Sequence, residues 1–398
     1  LVEGLRAQAP AHDVRHVVVA SHGSAGVLVD DTGPVLAPID YEAEPPAAVV
    51  AEHRRLAPPF PERGAALMGG ATHFARQLLW MRAVAPDAVA RARAFLPLPQ
   101  YLAWRLTGAA AVDWTMLGAQ SHLWSPLRHD WTALVEALDV GHLLPAPVPP
   151  WRPVGTVRPA LGLPAGIAVL AGVHDSTADL YRYQRAGLGR FTLLSTGTWL
   201  VGMSADTPAE RLDEARGMGV TTDVAGGSVA GTLAMAGRER ALLAGARPAP
   251  VTARALAGIV ARDVVVRPGV VAFDGVFAGS GGTGAILGTP GDEAERAALA
   301  TLYTALVGDV CLDLLAAGGT VVVDGGFTAE PAFAGLLAAL RPDVRILVCP
   351  TGDGTARGAA LLASHADGAP PALDLHPAAP LDVAGLVAYR DRWRDRVG

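Results

Sequence analysis

Two short segments carry most of the chemical potential of this 398-residue chain. Gly172-Val173-His174-Asp175 follows the apolar run Ile167–Ala171, and Ser195-Thr196-Gly197-Thr198 follows Phe191–Leu194. A carboxylate at the end of a buried strand can take a proton from an attacking alcohol. A turn of small hydroxyl residues and glycine lets backbone N–H groups close around a phosphate. The two are the halves of a phosphoryl-transfer site. Each also has an ordinary reading. Asp175 or Ser176 could cap a helix running through Leu180, because a short acidic side chain satisfies the free amides of a first turn. Ser195–Thr198 could be a plain hairpin turn between Thr192–Leu194 and Trp199–Met203.

Other residues are weaker signals. Asp324-Gly325-Gly326 ends the apolar strand Val321–Val323 in a glycine turn, a common punctuation in α/β chains. His22, in Ser21-His22-Gly23-Ser24, lies between two strands and could hydrogen-bond a polyol or be an ordinary surface or core histidine. The eleven histidines are dispersed, and neither cysteine stands with them at metal-ligand spacing, so no residue is assigned to a metal. All 32 basic residues are Arg. Without Lys there is no Walker-type phosphate loop. A phosphate must then meet Arg, a metal ion or a helix N-terminus. No nucleophile elbow is present.

The elements that must position these groups follow from apolar periodicity. His16–Ser21 and Gly26–Asp30 read as strands, closed by the turn Asp30-Asp31-Thr32-Gly33. From Ala47 to Gly108 the pattern is helical, with Leu78, Leu79 and Met81 and then Phe95, Leu98, Leu102 and Leu106 on shared faces. Gly108 is the expected helix stop. Pro145–Pro153 reads as an extended linker. Strands and helices alternate again from Ile167. Glu293–Ala317 is a long helix, Val321–Gly326 a strand and turn, Arg345–Val348 a strand, and Asp353–Ser364 a helix of small residues. That alternation predicts an α/β architecture.

Composition bounds the remainder. Hydrophobic residues make up 51% and charged residues 18%, with a net charge of −6, which excludes a disordered chain and a broad basic field for nucleic acid. Cys311 and Cys349 alone argue against a disulfide framework and fit a cytoplasmic setting. The apolar stretches read as shorter than the ~20 residues of a membrane span and are broken by Gly or Pro. The chain opens on Leu1 inside a helix, Leu1 to Gln8, and further sequence is expected upstream.

Taken in order, the motifs resemble the FGGY family of carbohydrate kinases, within the actin/hexokinase-like superfamily. The run begins at Val14-Arg15-His16-Val17-Val18-Val19-Ala20-Ser21-His22-Gly23 and continues through Tyr101–Gly108 and Leu143-Leu144-Pro145. Gly172-x-His174-Asp175 is similar to the family's catalytic segment, and Ser195–Thr198 with Trp199 to its second phosphate loop. Asp324-Gly325-Gly326-Phe327 resembles the adenosine-side glycine motif, followed by Thr355–Ala360. The two turns resemble most the rhamnulokinase and fuculokinase side of the family. The resemblance implies two ribonuclease H-like domains, 1–185 for sugar and 186–398 for nucleotide, with a cleft between them. It implies ATP and Mg²⁺ as cofactors, a ketose or polyol as substrate, and Asp175 as general base. Ser195, Thr196, Gly197 and Thr198 would hold phosphate, and Gly325 and Gly326 would line the adenosine side. His22, Tyr41, Glu42 and His174 would meet the sugar. A homodimer would be unsurprising, and neither nucleic acid nor membrane is an expected partner.

Three positions depart from the family pattern. Its Asp-x-Gly-Thr-type first phosphate loop has no counterpart here, so the first domain is expected to lack its N-terminal hairpin. Glu330 stands where Asn is common after the glycine turn. Ile39-Asp40-Tyr41-Glu42 replaces a Trp-x-Asp-x-Arg-like sugar segment. Two rival readings follow: a non-catalytic sugar- or nucleotide-sensing relative, and another ATPase of the actin superfold.

Overall fold

The computed structural model describes residues 1–397. The chain separates into two compact units. The first comprises Leu1–Arg185 with Val220–Ser228 and Thr355–Pro371; the second comprises Ala186–Gly219, Val229–Gly354 and the chain from Ala372 on. The first long stretch of the first unit ends at Arg185. The two later segments join the first unit because Val224, Ala359 and Leu362 pack with Leu170, Val173, Ala178 and Tyr181. Burying each such side chain contributes about 1.5–3 kcal/mol for the larger ones.

In the first unit, His16–Val17 runs parallel to Ala168–Leu170, and Ala20–Ser21 parallel to Val173–His174. The expected strand His16–Ser21 is thus interrupted at Val18 and Val19. Its register explains the break. His16 faces Ala168 and Val17 faces Val169, but Ala20 faces Val173, so the pairing slips by one residue. The extra residue falls between Val169 and Val173, a stretch that contains Gly172 at φ +97°. This has the character of a β-bulge, which re-aims the side chains that follow it.

Phe95 departs from the helical expectation. Ala94–Pro97 is a fully buried strand, antiparallel to Gly26–Val29. Gly26 is required there, since a Cβ would run into the Phe95 ring. The helix that follows is Leu98–Thr107, and Gly108, at φ +85°, ends it as expected. Pro145–Pro153 is more than a linker: Pro147–Val148 pairs in parallel with Val112–Asp113. A periodic count places Phe95 on a helix face, and the prolines in a linker, because neither strand partner is near in sequence.

The second unit is built on one sheet. Its successive strands are Ser228–Ala234, Leu200–Ser204, Phe191–Thr196, Thr320–Gly325, Arg345–Val348 and His376–Pro377. Phe191–Thr196 is antiparallel to Leu200–Ser204 and parallel to Thr320–Gly325. The expected Glu293–Ala317 helix ends at Leu314 and is capped by Asp292, whose carboxylate accepts from the Glu295 amide at 2.8 Å. Contrary to the sequence expectation, this helix is long and apolar enough to cross a membrane by length and composition. It is instead the core: 89% of its most apolar window is buried in the fold, with Leu302, Leu306 and Val310 packed with Leu194, Leu200 and Val323.

Candidate active site

Asp175 is the first residue of the helix Asp175–Arg185, directly after the re-aimed strand Val173–His174. One carboxylate oxygen, Oδ1, accepts from the Ser176 amide at 2.6 Å and lies 3.5 Å from His174 Nε2. The side chain is 37% exposed. A negative charge at a helix N-terminus is favoured by the partial positive charge of the free amides. Opening a helix and presenting a carboxylate are therefore compatible here. The Thr355 hydroxyl donates to the Asp175 carbonyl at 3.4 Å.

His174 is mostly buried, and burial pushes its pKa below the usual value, with the neighbouring Asp175 charge opposing. Its Nδ1 is buried without a protein partner. The ring stands over Gly23, where a Cβ would lie 3.2 Å from His174 Nε2. Next to Gly23, exposed His22 holds its Nδ1 2.7 Å from the Gly23 carbonyl and its ring 5.6 Å from that of Tyr41. Tyr41 in turn reaches Glu42 Oε1 at 3.5 Å. The structure thus gathers His22, Tyr41, Glu42, His174 and Asp175 into linked neighbourhoods of the first unit. Gln77, which carries no local motif, joins them: its Nε2 donates to the carbonyls of Ser24 at 2.6 Å and Ala71 at 2.7 Å. The Ala71 amide then donates to the Tyr41 carbonyl at 2.9 Å.

In the second unit, parallel pairing sets Ser195 opposite Asp324 and Thr196 opposite Gly325. Both turns therefore leave the sheet side by side. Gly197 and Thr198 form the exposed bend of a hairpin, closed by the Gly197 amide to the Trp199 carbonyl at 2.8 Å. Thr196 is buried, and its hydroxyl is used within the fold: it donates to the Asp324 carbonyl at 2.5 Å and accepts from the Phe327 amide at 3.0 Å. Gly325 has φ +89°, and a Cβ there would strike the Thr196 carbonyl. Gly326 is exposed. The bend backs onto the helix Ala236–Ala244, where the Arg238 amide donates to the Thr198 carbonyl at 3.2 Å. Glu330, the departure from Asn, caps the helix Pro331–Leu340 through the Ala332 amide at 3.2 Å.

Asp113, Thr115 and Gln100 carry no catalytic motif, yet they hold the Asp175 segment. Asp113 is the cap of the helix Trp114–Gly118 and accepts from the Thr115 amide, the one sequence signal that points to this pair. Asp113 is fully buried, and burial raises its pKa from 3.8 to about 7 against the hydrogen bonds from Thr115, Met116 and Gln100.

Residues 188–371 match the C-terminal domain of the FGGY carbohydrate kinases. A carbohydrate kinase from Novosphingobium aromaticivorans superposes with a TM-score of 0.87 at 32% identity, covering 100% of this chain and 87% of that one. A xylulose kinase from Lactobacillus acidophilus superposes with a TM-score of 0.80 at 14% identity, covering 100% of this chain and 86% of that one, a likeness of fold alone. L-fuculokinase from Escherichia coli (strain K12) is 31% identical over 202 residues, 48% of this chain and 41% of that protein. The match thus spans less than half the length of this curated relative. The α/β architecture and these superpositions define a protein of the two-domain actin/hexokinase-like class. Within that class, the chain belongs to the FGGY family of carbohydrate kinases.

Proposed function

We propose that this protein is a cytoplasmic ATP-dependent kinase of a ketose or polyol, with Asp175 as the general base. The observation that carries the reading is the asymmetry of the Asp175 carboxylate. Oδ1 is anchored to Ser176 and faces His174, whereas Oδ2 has no protein partner among the described residues on a partly exposed side chain. In the proposed step, Oδ2 accepts the proton of the sugar hydroxyl as that oxygen bonds to the γ-phosphorus and the bond to the ADP oxygen breaks. ATP, when bound, supplies that phosphoryl group. His22, Tyr41, Glu42 and His174 would orient the sugar.

The residues of the second unit fit a nucleotide phosphate. Nothing lies within 4 Å of a Cβ position at Gly197, so an oxygen can approach that backbone closely. Gly197, Thr198 and Ser195 would face phosphate, Thr196 would brace the turn from inside, and Gly325 and Gly326 would line the adenosine side. Among the described residues no cluster of three His, Cys, Asp or Glu side chains is arranged to hold a metal ion. Mg²⁺, when bound, would be held by the nucleotide phosphates and water. Two free cysteines, Cys311 and Cys349, fit a reducing compartment.

The identity to L-fuculokinase sets L-fuculose at the head of a ketose panel. The test is Asp175→Asn in the full-length protein, assayed by sugar-dependent ADP release. Turnover should fall about 10²- to 10⁴-fold while ATP binding survives. Turnover equal to wild type removes Asp175 as the base, and ATP binding without turnover on any sugar favours a sensing relative.

A further inference from the structure

We propose that Asp113 is a positioning residue for Asp175, acting through Thr115 and Gln100 on the two ends of the Gly172–Asp175 turn. The inference rests on the reading of Asp175 as the base. The His174 amide donates to the Thr115 hydroxyl at 3.0 Å, and that hydroxyl donates to Asp113 Oδ1. The Thr115 amide also donates to Oδ1, at 2.7 Å. On the other carboxylate oxygen, Gln100 Nε2 donates to Asp113 Oδ2 at 2.8 Å and to the Ala171 carbonyl at 2.9 Å. One buried carboxylate therefore organises two arms. The Gln100 arm takes the backbone before Gly172, and the Thr115 arm takes the backbone just before Asp175.

The chemistry gives the arms their direction. A hydroxyl has one proton, so a Thr115 Oγ that gives it to Asp113 presents only lone pairs to the His174 amide. An amide nitrogen of Gln100 that gives one proton to Asp113 gives its other to Ala171. In its ionised form the central carboxylate only accepts, and it then selects the orientation of both neighbours. The turn needs such a hold. Between Val169 and Val173 the strand takes in its extra residue, and the ladder on either side of it consists of two-residue pieces. A shift of about 1 Å at a catalytic group can cost 10²-fold in rate.

Thr115→Val keeps the shape and removes the hydroxyl, and Thr115→Ser restores it. In the full-length enzyme with its best panel sugar, Thr115→Val should lower kcat at least tenfold with KM for sugar and ATP within threefold, and Thr115→Ser should stay within threefold of wild type. The His174 amide should be protected from hydrogen exchange in wild type and lose at least tenfold of that protection in Thr115→Val. Gln100→Met tests the other arm with the same expectation for kcat and KM, and serves if Thr115→Val does not fold. Wild-type kcat in either variant, equal impairment of Thr115→Ser and Thr115→Val, or an unprotected His174 amide in the wild type overturns the proposal. An active Asp175→Asn enzyme with the exchange pattern intact overturns the base assignment instead.

Discussion

Gly172 passes so close to Val19 that a Cβ at position 172 would stand 2.9 Å from the Val19 carbonyl oxygen. The same Cβ would meet Pro99 Cβ at 2.9 Å, and the backbone sits at φ +97°. In this stretch, between Val169 and Val173, the strand takes in its extra residue and delivers His174 and Asp175 to the first-unit site. Gly172→Ala is expected to destabilise the protein by about 2 kcal/mol or more, from the left-handed backbone and from the contact together. Urea unfolding measures this; an unchanged midpoint would show that the turn relaxes freely.

The two threonines of the 195–198 bend should respond differently. Removing the Thr196 hydroxyl strands the Phe327 amide and costs the Asp324 carbonyl its donor, so Thr196→Val should cost about 1–3 kcal/mol. Thr198 is exposed, and Thr198→Val should change stability by no more than about 0.5 kcal/mol while raising KM for ATP. Thermal melts and initial-rate kinetics separate the two. The reverse pattern would move the phosphate contact from Thr198 to Thr196.

Asp113 gives a pH signature in stability. Its folded pKa, about 7, lies above the unfolded 3.8, so between these values the folded state holds more protons than the unfolded state. Its contribution to stability is then fully present below about pH 4 and is lost as pH rises to 7. The stability of wild type relative to Asp113→Asn should fall across that window and level off above it. Paired urea titrations at several pH values measure the difference, and a difference that grows with pH would refute it.

A buried histidine stack gives the opposite sign. His73 and His122 lie 3.7 Å apart ring to ring, and His53 lies 5.1 Å from each. Arg76 Nε donates to His53 Nδ1 at 3.3 Å, His53 Nε2 faces His122 Nδ1 at 3.1 Å, and His122 Nε2 faces the Ala65 carbonyl at 3.1 Å. His53 Nδ1 can accept from Arg76 only while its ring is neutral, and the His53–His122 link needs one ring nitrogen without a proton. Burial, with Arg76, Arg63 and Arg54 nearby, lowers His53 to about 3. Burial also holds His73 and His122 well below the usual 6.5. Unfolding therefore takes up protons below about pH 6.5, so this stability is complete above that pH and is lost as the solution becomes more acid. Each histidine adds up to about 1.4 kcal/mol per pH unit. His53→Gln should flatten the fall in unfolding free energy between pH 6.5 and 5; an unchanged slope would place the proton uptake elsewhere.

Much of the frame was legible residue by residue. Arg345–Val348 is the strand that its apolar run predicts, and Gly108 ends its helix in the left-handed conformation that only glycine adopts cheaply. Asp30 closes its turn by accepting from the Thr32 and Gly33 amides at 2.8 and 3.1 Å, as an Asp-x-Thr-Gly turn should. The order of motifs was enough to name the family. These features depend on neighbours within a few residues, whose covalent spacing already sets their geometry.

What the tertiary structure decided depends on partners far along the chain. Phe95 became a strand residue because Gly26 opens room for its ring, and Pro147–Val148 found its partner at Val112–Asp113. The slip between Val169 and Val173 exists only in relation to Val17 and Ala20. Asp113, Thr115 and Gln100 meet Ala171 and His174 because buried polar groups must find partners and the fold brings these within reach. The sequence by itself determined which residue types could do phosphoryl chemistry and in what order they stand. The tertiary structure decided how the Asp175 carboxylate is aimed and what holds it, since aim is set by packing and by hydrogen bonds that the linear order does not contain.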